Sequence, residues 1–191
     1  IGVVTGTVFS VLADELIPKA EKIEFNSASD ALMALDNGKI DAFPTDESLY
    51  YAMRWEGKNY SIVEEPMATS TYGTIFGKGA NQDLRAELNA FLSDNKETVA
   101  VLEAKWFSEK EPTEFMSYDN LTGENGTLRI GVCSSVKPFV YMKDGRLTGY
   151  DIEILISFAR EYGYKLDFED TLFASVLTGV SMGTYDIGAS G

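Results

Sequence analysis

The stretch TLRIGVCSSVKPFVYMKDGRLTGYDIEILISFAREYGYKLDFEDTLFASVLTGVSMGTYDIGASG, residues 127–191, decides how this chain folds. Leu128 to Val132 is a short apolar run rich in β-branched side chains, the composition of a strand. Pro138, Phe139, Val140 and Tyr141, followed by the turn Lys143-Asp144-Gly145, predict an exposed excursion. A helix comes next, with Asp151 as its N-cap, Ile152, Leu155, Ile156 and Ala159 at helical spacing, and Gly163 where a left-handed C-terminal cap is wanted. Tyr164, Leu166 and Phe168 alternate as a strand, Val176, Leu177 and Val180 mark a second short helix, and Tyr185 to Ala189 begins a third strand. Strands that alternate with helices predict an α/β unit, a parallel sheet with helices on its faces and ligands beyond the carboxyl ends of its strands.

Around this stretch, 191 residues at 45% hydrophobic content suffice to bury one core or two small ones. With 16 basic against 30 acidic residues, the net charge of -14 argues against nucleic acid and against anionic membrane surfaces, since both select basic patches. Solubility is the plainer cause of the acidity. No apolar run approaches the roughly 18 residues of a spanning helix, and no signal peptide pattern is present, as expected of a mature form or an excised segment. The single cysteine, Cys133, has no internal disulfide partner, and its place at the end of an apolar strand suits a small core-edge residue better than a nucleophile. The absence of histidine excludes His-dependent triads and His-ligated metals.

The first half of the chain repeats the same grammar. Gly2 to Val4 is a strand that runs into Thr5-Gly6-Thr7 and a helix ending before Pro18; Ile23 and Phe25 alternate as a strand; and Ser27 with Asp30 starts a helix that Asn37-Gly38 stops. A strand over 39–43, a helix opened by Thr45 and Asp46, a strand over 60–63 and another over 72–77 follow, and then helices over 81–92 and 97–107. Leu35 to Asp41 and Val180 to Asp186 share the pattern apolar-x-x-Gly-x-x-Asp, each closing a helix and opening a strand, and two such units suggest two lobes with a cleft between them. Residues 109–126, EKEPTEFMSYDNLTGENG, are polar and rich in turn formers and make the linker candidate.

Taken together these residues resemble the bacterial extracellular solute-binding proteins of the polar amino acid class, with a type II bilobal fold. Leu128 to Val132, Pro138-Phe139 and Gly145 to Asp151 look like the start of such a protein's large lobe, and Tyr185 to Ile187 with Gly191 like that lobe's third strand. Gly2 to Thr7 and Gly38 to Ala42 with Asp46 look like the small lobe, and Tyr72-Gly73 with Lys105-Trp106-Phe107 like the return to the large lobe and its closing helix. Family members run large-lobe start, small lobe, large-lobe finish, whereas this chain runs small lobe, large-lobe finish, linker, large-lobe start. The resemblance therefore implies a periplasmic-binding-protein-like bilobal fold of two βαβ-type lobes, circularly permuted or made of half-modules from a tandem protein. The small lobe would be 1–72 and the large lobe 73–191, the latter with closing strand and helices 73–108, linker 109–126 and large-lobe start 127–191.

The resemblance also implies a site. Asp46 matches the aspartate that holds the ligand ammonium, and an N-cap is the alternative for it. Thr5, Gly6, Thr7 and Val8 match the turn that receives the ligand carboxylate, and a tight strand-to-helix turn explains the glycine about as well. Phe173 matches an aromatic that packs on the ligand, Gly191 a position whose carbonyl meets the ammonium, and Val136 stands where many relatives place a stacking aromatic. Cys133 stands where some relatives place an acid and Val4 where glutamine binders place a lysine, so glutamine specificity is not expected. The arginine that pairs with the ligand carboxylate follows the equivalent of Gly191, so this stretch alone is expected to bind weakly or not at all.

The function implied is non-catalytic binding of a small amino-acid-like ligand, without cofactor or metal, for ABC-type uptake through a membrane permease or as the sensory region of a receptor with a fused signalling domain. A periplasmic or extracellular location is implied with it, membrane-associated through a partner or a further segment. An interaction module that has lost its ligand is the alternative, and a dehydratase-like enzyme on the same fold stands behind it. For the assembly, a permuted monomer is expected, with a domain-swapped dimer exchanging halves across the linker as the alternative.

Overall fold

A computed structural model of the chain describes residues 1–69 and 71–191; Ser70, within the expected small lobe, lies outside the described residues. The chain divides into two compact units, Ile1–Tyr50 with Tyr60–Ser70, and Tyr51–Asn59 with Thr71–Gly191.

The first unit is built on β1 (Gly2–Val4), α1 (Val8–Leu16), β2 (Ile23–Phe25) and α2 (Ala28–Asp36), and it contains the start of α3 (Glu47–Trp55). The two strands pair in parallel, Gly2 opposite Ile23 and Val4 opposite Phe25. Its core is small: Val3, Ala13, Ala31, Ala34 and Ile40 are buried. A Cβ on Gly2 would stand 2.5 Å from Ile40 Cδ1, so a larger residue there would have to displace the end of that side chain. Ser27 caps α2 as expected, its hydroxyl oxygen accepting the Asp30 N–H at 3.1 Å. The strand expected over 39–43 is not formed. Ile40 is buried and the Gly2 N–H donates to Ala42 O at 2.9 Å, but Pro44 supplies no donor and the ladder goes no further. The strand expected over 60–63 is also absent, because Ile62 and Val63 lie exposed with no partner surface to bury them.

The second unit takes the end of α3, then α4 (Gln82–Asp94), α5 (Lys96–Trp106), β3 (Thr127–Val132), β4 (Ser135–Val136), β5 (Val140–Lys143), β6 (Arg146–Thr148), α6 (Tyr150–Tyr162), β7 (Lys165–Asp170), α7 (Phe173–Met182) and β8 (Ile187–Ala189). A parallel sheet runs in the order β7-β3-β8, as the alternation of elements requires. Of the strand expected over 72–77 only Ile75 pairs, by a reciprocal antiparallel contact with Gly188 at 2.8 and 2.9 Å, which puts this segment at the β8 edge of the sheet.

Residues 138–141 are not an exposed excursion. Phe139, Val140 and Tyr141 are buried, because β4, β5 and β6 form a three-stranded antiparallel sheet whose inner side joins the main core. That core gathers Leu88 and Phe91 of α4, Leu102 and Trp106 of α5, Ile130 and Val132 of β3, and Ile152, Leu155, Ile156 and Phe158 of α6. Five consecutive residues of α6, from Ile152 to Ile156, are buried, the mark of a helix enclosed on most sides. Each apolar side chain among them contributes roughly 1.5–3 kcal/mol relative to exposure.

Residues 108–126 hold no helix or strand, yet they are laid along the second unit rather than left loose. Leu121 is buried, Phe115, Met116 and Tyr118 pack on the core, Glu111 takes Lys143 at 2.8 Å and Tyr141 Oη at 3.0 Å, and Asp119 takes Arg146 at 2.8 Å. The deepest anchor is Glu153 of α6, fully enclosed. Its carboxylate accepts Lys105 Nζ at 2.7 Å, Trp106 Nε1 at 3.0 Å and the Met116 N–H at 2.9 Å, joining α5, α6 and this segment in one buried network.

The weak internal repeat is one helix-ending turn used twice. Gly38 and Gly183 have φ of 65° and 77°, Lys39 N donates to Ala34 O at 2.9 Å, and Thr184 N donates to Gly179 O at 2.8 Å.

Candidate ligand-binding residues

In the second unit the carboxyl ends of β3, β7 and β8 are tied together by short side chains. The Cys133 N–H donates to Ser190 Oγ at 2.7 Å, the Ser134 N–H and hydroxyl donate to Asp170 at 2.9 and 2.6 Å, and the Thr171 N–H donates to Val132 O at 2.8 Å. Cys133 is buried with its Sγ 3.1 Å from Ser135 Oγ, as suits a core-edge thiol.

Gly191 follows β8 at φ 89°, and its N–H donates to Asp151 Oδ2 at 2.8 Å. A Cβ on Gly191 would lie 3.2 Å from Phe139 Cδ2 and 3.5 Å from Val136 Cγ1, so the structure brings Val136 and Gly191 together around Phe139. The Tyr72 ring packs tilted against Phe139 at 4.5 Å between centroids, and the Phe107 ring lies 5.5 Å from it. Phe173 opens α7, the helix that follows β7, and is 46% exposed, the exposure of a side chain open to a contact outside its own core.

Asp151 is not the N-cap of α6. That place belongs to Gly149, whose φ of 131° and 2.1 Å approach of a would-be Cβ to Phe139 O admit no side chain. Asp151 sits two residues further in, within the first turn and on the side of Leu155 and Ala159, and its carboxyl faces the end of β8. Burial pushes this carboxyl up from 3.8 to about 6, against the opposing pull of the Gly191 N–H. Its spacing of four from Leu155 was the available signal that it faces inward.

In the first unit Thr5, Gly6, Thr7 and Val8 form the turn between β1 and α1. Gly6 takes φ 78° with open space around it, Thr7 occupies the N-cap position, and Val8 is exposed. The Thr5 N–H continues the strand ladder to Phe25 O at 2.9 Å, the Thr7 hydroxyl donates to Val4 O at 2.7 Å, and the Thr5 hydroxyl donates to Glu24 at 3.3 Å. Of the first-turn N–H groups of α1, that of Ser10 donates to Thr7 O at 3.2 Å. Asp46 precedes α3, its side chain half-buried and its carbonyl accepting the Leu49 N–H at 3.1 Å. Among the described residues no cluster of acidic, cysteine or histidine side chains could hold a metal ion, and no helix is long and apolar enough to cross a membrane.

Residues 128–191 match the family described as bacterial extracellular solute-binding proteins, family 3. The chain is 34% identical over 113 residues to the ABC transporter glutamine-binding protein GlnH of Bacillus subtilis (strain 168), covering 58% of this chain and 41% of that protein. It is 35% identical over 69 residues to the L-cystine-binding protein TcyA of the same organism, covering 35% of this chain and 26% of that one. The chain thus spans less than half the length of either relative. The unliganded open L-cystine solute receptor of Neisseria gonorrhoeae overlaps at a TM-score of 0.34 with 34% identity, covering 39% of this chain and 32% of that structure. Over residues 128–191, therefore, the chain is similar to the bacterial extracellular solute-binding proteins of family 3.

Proposed function

We propose that this chain binds a small polar ligand, an amino acid or a similar zwitterion, and does no chemistry on it. The match of residues 128–191 to the solute-binding family, together with relatives named for glutamine and cystine, carries this reading. In the second unit the Gly191 carbonyl meets the ligand ammonium and Val136 and Phe173 supply apolar contact. In the first unit the turn of Thr5, Gly6, Thr7 and Val8 offers N–H groups to a carboxylate and Asp46 offers an anion to an ammonium. The fold is a permuted bilobal one, with small lobe 1–72 and large lobe 73–191. It acts outside the cytoplasm, held at the membrane by a partner, either delivering its ligand to an ABC-type permease or serving as the sensory region of a receptor.

The Ile75 and Gly188 pairing supports the permuted reading, since it joins the two parts of the large lobe within a single chain. Thermal unfolding against a panel containing glutamine, cystine, histidine and arginine tests the binding. A ligand confined to the folded state adds roughly 2.7 kcal/mol of stability at a hundred times its Kd, so one member of the panel should raise the midpoint in step with the logarithm of its concentration. A midpoint indifferent to every amino acid, both in this chain and in one extended past Gly191 to carry the arginine, would overturn the proposal.

A further inference from the structure

We propose that Asp151 is a positioning residue for Gly191: its carboxylate accepts the Gly191 N–H and thereby sets the backbone at the carboxyl end of β8. The inference rests on the binding mode above, in which the Gly191 carbonyl contacts the ligand. The geometry makes Asp151 the joint between three elements. The Tyr150 and Asp151 N–H groups donate to Pro138 O and Phe139 O at 3.0 and 3.1 Å, fixing the first turn of α6 to the entry of β5. From that fixed turn the Asp151 carboxylate reaches Gly191 at 2.8 Å, while Phe139 and Val136 crowd the other side of the same glycine. Gly191 is thus held by a hydrogen bond at a place where Phe139 and Val136 leave little room for a side chain.

A carboxylate is the side chain suited to this task. It only accepts hydrogen bonds, whereas an asparagine in the same place can turn its NH₂ toward the Gly191 N–H and lose the contact. Its charge shortens and strengthens the bond. Burial opposes that charge, and no cation compensates it in the shift described above. The titratable groups beside it and on the adjoining elements have partners of their own. The Tyr150 phenol lies near Glu103 of α5, Lys137 of the β4–β5 turn pairs with Glu56 at 3.5 Å and lies over the Tyr141 ring, and Asp170 at the end of β7 is taken by Ser134. A buried charge kept where an uncharged residue would cost less points to a role in position rather than in stability.

The test follows the Gly191 amide by ¹H–¹⁵N NMR across the range from about pH 4 to about pH 8, in the parent chain and in Asp151→Asn, with no ligand present. In the parent the Gly191 resonance should titrate with a midpoint near 6. In the variant the titration should vanish and amide exchange at Gly191 should quicken by about ten- to a hundredfold, the equivalent of one charge-assisted hydrogen bond. A Gly191 resonance that is flat in the parent, or that titrates equally in the variant, overturns the proposal. Thermal melts accompany it: a purely structural Asp151 would make the variant less stable at every pH, which also counts against positioning. Each of the twenty standard L-amino acids is then titrated into both chains. If neither the parent nor a chain extended past Gly191 binds any, the binding mode fails while the amide titration still decides the Asp151 contact. If the parent binds one and the variant binds it equally well, the positioning role falls.

Discussion

Two carboxylates two residues apart on α6 behave in opposite ways. Asp151, with a single backbone donor and partial exposure of the residue, has a folded-state carboxyl raised to about 6 from 3.8. Below about pH 4 it is protonated in both the folded and unfolded states and contributes nothing. Between those two values the unfolded chain loses its proton first, so stability falls as pH rises, and above 6 the cost is constant at about 2 kcal/mol after allowance for the exposure. Asp151→Asn should therefore melt no lower than the parent at pH 8, with its advantage shrinking toward pH 4, as calorimetry over that range will show. Glu153 is fully enclosed but satisfied by Lys105, Trp106 and the Met116 N–H. Removing it orphans all three donors, and Glu153→Ala should lose about 3–5 kcal/mol in urea unfolding. Pairing Lys105→Met with Glu153→Leu should not restore the loss, because the indole and Met116 donors stay unpaired.

At the level of elements, glycines with positive φ divide into two kinds. Gly183 ends α7 in open space, so Gly183→Ala meets only the left-handed penalty of about 1–2 kcal/mol. Gly149 starts α6 with Phe139 O only 2.1 Å from a would-be Cβ, so Gly149→Ala must displace the joint between β5 and α6 and should cost well over that amount. Equilibrium denaturation of the two variants side by side checks the order. Helix ends of this sort were legible in the sequence, since caps are local: Ser27, Gly38, Gly163 and Gly183 all do what their neighbours require. The strands over 39–43, 60–63 and 72–77 were not, because a strand exists only where another lies beside it. Ile75 found Gly188, more than a hundred residues away, and Ile62 found nothing.

Over the whole chain, the segments 75–107 and 127–191 share one core. Both parts come from the same chain, so the protein should run as a monomer of 21.0 kDa by light scattering. A mass twice that would mean that two copies exchange these parts across residues 109–126. Those residues read as a linker because their composition is polar, but Phe115, Met116 and Leu121 set the segment against the core. Scattered single apolar residues show no periodicity, so only the surface they meet could reveal them.

By itself the sequence determined the alternation of strands and helices over 127–191, the parallel sheet and the glycine caps at the helix ends, which rest on spacing within a few residues, and its motifs carried the likeness to the solute-binding family. The tertiary structure decided the rest. It turned residues 138–141 inward, paired Ile75 with β8, gave Glu153 its three partners and moved Asp151 from a helix cap to the Gly191 backbone. Each of these joins groups far apart in the chain, and burial, which sets their energies, exists only once the chain has closed around them.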